Sequence, residues 1–184
     1  DGQGCGCIKG NALRAVLDSR DEIEHFTENY DHIRQLGEAI SANKINDLGL
    51  ANCMFNPATL ATFVESVRWA EAAVTSVNCL HNPLGEGLQA IIKVFEETPR
   101  LRTLCGLEEG IETIDWSNSG KGSVEVALLA ADLKAGRAGA AIEVVAIGAN
   151  PITSEGGATL LETIKTSKLK AIDIGKPLPL QEPY

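Results

Sequence analysis

The sequence predicts an α/β fold in which short parallel strands alternate with helices, one of each to a repeated unit. Three observations predict it. Apolar residues fill the first, fourth and sixth slots of a nine-residue frame that recurs from Ile45 onward. A second apolar pair at helical spacing follows each copy at a fixed distance. The 184 residues include twenty Leu and fifteen Ile but only four Phe, two Trp and two Tyr, so the core must be aliphatic, as suits stacked units.

The elements follow in order. Residues 1–44 read as a Gly-rich terminus and a helical N-terminal cap. Leu13, Val16, Leu17, Ile23 and Phe26 fall at helical spacing across 11–29, and Ile33, Leu36 and Ile40 do so across 33–42, the helix of a degenerate preceding unit. Residues 45–176 then carry five copies of the frame. They begin Ile45-x-x-Leu48-x-Leu50-x-x-Cys53 and Val74-x-x-Val77-x-Cys79-x-x-Asn82. Next come Ile111-x-x-Ile114-x-Trp116-x-x-Ser119 and Ile142-x-x-Val145-x-Ile147-x-x-Asn150, and last Leu169-x-x-Ile172-x-Ile174 with Pro177 in the ninth slot. Successive copies start 29, 37, 31 and 27 residues apart, and the long interval marks 99–110 as an insertion. Leu101, 27 residues after Val74, offers a competing start, but it places Gly106 in the sixth slot, so the Ile111 register is preferred.

Ten residues past the ninth slot come Phe63, Ile92, Leu129 and Leu160, followed three or four residues later by Val67, Phe95, Leu133 and Ile164. That spacing predicts a helix of about three turns in each unit, as over 122–134 and 155–167. Gly residues at 85, 87, 120, 122, 156 and 157 punctuate the turns between strand and helix. The tail 177–184 is Pro-rich, and Pro177, which has no N–H to donate, ends the ladder.

The spacing, together with Asn82-Pro83-Leu84-Gly85 and Asn150-Pro151-Ile152, resembles the leucine-rich repeat of the ribonuclease-inhibitor-like class over roughly Ile45 to Ile174. The resemblance implies a short right-handed horseshoe segment, with parallel strands on the concave face and helices on the convex face. It implies structural roles for Cys53, Asn82, Ser119 and Asn150 in the ninth slot, and an inert, core-facing Cys79.

Composition excludes several function classes. A net charge of -9 and a pI near 4.8 argue against nucleic acid and anionic lipid, which need a positive footprint. No run approaches the roughly 20 apolar residues that span a bilayer, leaving peripheral association open. The chain begins at Asp1 without an initiator Met, so a lost leader or a fragment is expected, and an intracellular setting, an organelle included. Cys5-Gly-Cys7 is too close for an unstrained bridge and has no second ligand pair, so no metal is expected.

No catalytic set stands out either. Gly2-Gln-Gly4-Cys-Gly6 follows no strand, and Ser119-Gly120-Lys121-Gly122-Ser123 lacks the leading Gly of a phosphate loop. His25, His32 and His81 have no companions at metal spacing, and Glu96-Glu97 and Glu108-Glu109 are adjacent rather than facing. A non-catalytic protein without cofactor is the expectation. In a stacked repeat the side chains between the apolar slots face a partner. The candidate protein-binding residues are therefore Asp47, Gly49, Ser76, Asn78, His81, Thr113, Asp115, Val144, Ala146 and Asp173, in a chain expected to act as a scaffold or accessory subunit of a multi-subunit protein assembly. The resemblance also raises regulation of a small GTPase, as in the GTPase-activating proteins of this repeat class.

Overall fold

The computed structural model describes residues 13–17 and 23–175, with side chains from residue 29 onward. The chain divides after Gly106 into two compact α/β units.

The first unit opens on a hairpin. β1 (Leu13–Leu17) and β2 (Ile23–Glu28) pair antiparallel, Ala15 opposite Phe26 and Val16 opposite His25. This corrects the helical cap expected over 11–29. Short apolar runs fit both periods, and a five-residue helix leaves most of its backbone groups open, whereas pairing closes them. The Gly-rich terminus of the expected cap, like the tail 177–184, lies outside the described residues. The helix expected over 33–42 is present as α1 (Asp31–Ala42), which buries Ile33 and Ile40. Asn29 Oδ1 accepts the first free N–H, that of Asp31, at 2.8 Å. Gly37 lets α1 approach α2 (Pro57–Ser66) closely: a Cβ there would lie 2.7 Å from Ser66 Cβ.

β3 (Asp47–Gly49) and β4 (Ser76–Asn78) pair parallel, with Leu48 opposite Val77. Between them α2 starts at Asn56, whose Oδ1 accepts from Thr59 N at 2.9 Å, with Pro57 in the first turn, where its missing N–H costs nothing. α3 (Leu88–Glu97) follows β4 through a 3₁₀ turn at Gly85–Gly87 and buries Ile91 and Phe95, while Ile92, the expected core residue, is half-buried. Three aromatic residues of this unit meet in a chain. Phe55 and Phe63 meet edge to face at 5.6 Å, Phe63 and Trp69 at 6.0 Å.

The segment expected to be an insertion is the third rung of this ladder. Arg102 N donates to Thr75 O and Val77 N to Thr103 O, while Cys79 N donates to Leu104 O and Gly106 N to Val77 O, at 2.7 to 3.0 Å. Leu101 and Leu104 are fully buried. The competing start at Leu101 is thus the one that pairs with β4, and Gly106 is its signature rather than an objection to it. Gly106 has φ +66° and sits where a Cβ would come 3.0 to 3.2 Å from the side chain of Asn78, so a larger residue is strained and crowded.

The second unit is a three-stranded parallel sheet, β5 (Thr113–Asp115), β6 (Val144–Ala146) and β7 (Ala171–Asp173), in the order β5-β6-β7. α4 (Ser123–Ala135) connects the first pair, ending at Gly136 in the left-handed conformation, and α5 (Ser154–Thr166) connects the second. The two helices pack together, Gly156 admitting Ser123 where a Cβ would lie 3.2 Å from Ser123 Cα. Glu125 Oε2 accepts from Gly122 N at 2.8 Å and so closes the start of α4. Ile114 and Val145 fill the fourth slot and are buried; Ile172, in the same slot of β7, is half-buried.

Candidate functional site

A strand points successive side chains to opposite faces. In both ladders the fourth-slot residue goes inward, which leaves its two neighbours on the outward face. Parallel pairing then aligns those neighbours into rows. In the first unit Asp47 lies beside Ser76 and Gly49 beside Asn78. In the second the rows are Thr113, Val144, Ala171 and Asp115, Ala146, Asp173. Asp47, Gly49, Thr113, Asp115 and Asp173 are exposed, and Ser76, Asn78, Val144 and Ala146 are half-buried. Nine of the ten candidates therefore share an outward strand face, within one unit or the other. Neighbouring strands stand about 4.8 Å apart, so Asp115 and Asp173 flank Ala146 at roughly 10 Å from each other.

The exception is His81. It lies beyond β4 with φ +58°, in the turn rather than on the strand face. The same eighth slot is left-handed in the frames that start at Ile45, Ile111 and Ile142, with Asn52 at φ 56°, Asn118 at 50° and Ala149 at 56°. The slot is a turn position by backbone geometry, which Asn and His accept more readily than Ala.

The acidic side chains of the outward row have a structural use as well. Asp115 Oδ1 accepts from Ser117 N at 2.9 Å and Asp173 Oδ1 from Gly175 N at 2.8 Å. Asn78 Oδ1 does the same for Leu80 N at 3.2 Å. Each closes the backbone two residues on as the chain leaves the strand. The backbone bond from Ser117, and then the Ser117 side chain, hold the Asp115 carboxyl below the usual carboxylate range.

Beneath the face, an Asn in the ninth slot locks its rung to the one before it in each unit. Asn82 Oδ1 accepts from Cys53 N and Phe55 N, both at 3.0 Å, and its Nδ2 donates to Leu50 O at 2.7 Å, Cys79 O at 2.9 Å and Leu80 O at 3.3 Å. Asn150 repeats the set. Its Oδ1 accepts from Ser119 N at 3.1 Å and Lys121 N at 2.9 Å, and its Nδ2 donates to Trp116 O, Ile147 O and Gly148 O at 2.7, 2.8 and 3.3 Å. Cys53 and Ser119 reach carbonyls of their own turns, Ala51 O and Trp116 O. Cys79 is buried in its core slot. Trp116 is half-buried rather than a full core residue, and Lys121, 7 % exposed, holds its ammonium 5.3 Å from the Trp116 ring centroid.

Two features escaped the sequence reading. Thr103 and Cys105 continue the rows of Ser76 and Asn78, and both are buried. The signal for them was the start at Leu101, 27 residues after Val74. The second feature is a groove of about 500 Å³ between the loops after α2 and α3, lined by Trp69, Ala70, Glu97, Thr98, Pro99 and Arg100. Trp69 is half-buried, its Nε1 donating to Val64 O at 2.9 Å, and the Arg100 guanidinium donates to the carbonyls of Ala70 and Ala72.

Among the described residues no group of three or more His, Cys, Asp or Glu is placed to hold a metal ion, and no helix is long and apolar enough to cross a membrane. No protein-family model matches the chain, and no curated protein matches it.

Proposed function

We propose that this chain is a non-catalytic protein-binding scaffold or accessory subunit of a larger assembly, built as a leucine-rich-repeat solenoid, and that the outward strand rows receive the partner. The observation that carries the reading is the row Asp115, Ala146, Asp173. A small side chain sits between two exposed carboxylates in strict register, over a ladder fixed from below by Asn150. Such a strip admits close approach of another backbone at its centre and accepts hydrogen bonds from basic groups at its sides. The solenoid reading is supported by the shared left-handed eighth slot and by the matching bond sets of Asn82 and Asn150.

The test is purification of the tagged chain from its native source under mild conditions, followed by size exclusion. The reading expects a stoichiometric protein partner that is lost on Ala146→Arg, with the circular dichroism of that variant unchanged. Elution as a lone monomer, or equal retention of the partner by the variant, contradicts it.

A further inference from the structure

We draw no further inference here: the strongest candidate, the exposed apolar side chains of Leu161 and Ile164 on α5 and of Ile174 after β7, the last 68 % exposed where Ile147 in the same slot is buried, carries nothing because nothing in the structure shows what covers it.

Discussion

Asn82 and Asn150 make the same five hydrogen bonds in two separate units: each accepts from two backbone N–H groups of the preceding rung, and donates to one carbonyl of that rung and two of its own. One side chain thus satisfies several backbone groups where the chain turns out of the strand.

Replacing either residue removes all five bonds at once. Asn82→Ala and Asn150→Ala should each destabilise by about 2–4 kcal/mol, since several groups lose partners at roughly 1–3 kcal/mol for each buried one. Asn82→Asp should not rescue, because a carboxylate has no donor for Leu50 O, Cys79 O and Leu80 O. Urea midpoints at constant slope measure this. A loss under about 0.5 kcal/mol would show that the bonds are incidental.

Gly37 gives a prediction of sign. An exposed helical Gly gains roughly 1 kcal/mol on replacement by Ala. Gly37 is buried, and a Cβ there meets Ser66 Cβ at 2.7 Å and Ser66 C at 3.0 Å. Gly37→Ala should therefore destabilise, by about 1–3 kcal/mol, as overpacking does. A rise in thermal midpoint would contradict the close approach of α1 and α2.

The third rung can be tested against the insertion it resembles in sequence. Leu104 is fully buried, so Leu104→Ala should cost about 2–5 kcal/mol. The amides of Val77 and Cys79, which donate to Thr103 O and Leu104 O, should exchange slowly in the wild type. An inserted surface loop would show neither effect.

Asp115 links stability to pH. Its carboxyl titrates below the usual range in the folded chain because Ser117 bonds its charged form. The contribution is therefore fully present above the unfolded pKa and is lost as the pH falls through the lower folded one. Stability measured from pH 7 down to acid should drop less steeply in Asp115→Ala than in the wild type. An identical acid limb would show that the Ser117 bonds do not persist in solution.

Much of the fold was legible in the apolar spacing. The frames at Ile142 and Leu169 place Val145 and Ile172 where β6 and β7 pair, and the spacing of Ile33 and Ile40 marks α1. Three parts were hidden by physical ambiguity. Leu13 to Phe26 fit a helix or a strand, and pairing between the two runs decides. The Leu101 rung was masked because its sixth slot is a left-handed Gly, so backbone geometry overrode the apolar pattern. In α3, which follows a 3₁₀ turn at Gly85–Gly87, Ile91 takes the core position expected of Ile92, while Phe95 is buried as its spacing indicates. The outward strand rows were legible, since period-2 alternation fixes the face on which they lie. His81 was not, because no spacing rule reports where a strand gives way to a turn.

The most direct test of the account is the affinity of the co-purified partner for two charge variants on opposite sides of the second unit. Ala146→Arg sits on the outward strand row, and Glu162→Arg on α5, where the side chain is 69 % exposed. The account predicts that calorimetry finds binding at least about tenfold weaker for Ala146→Arg, a loss of about 1.4 kcal/mol, and unchanged for Glu162→Arg. The reverse order, or equal affinities, would contradict it.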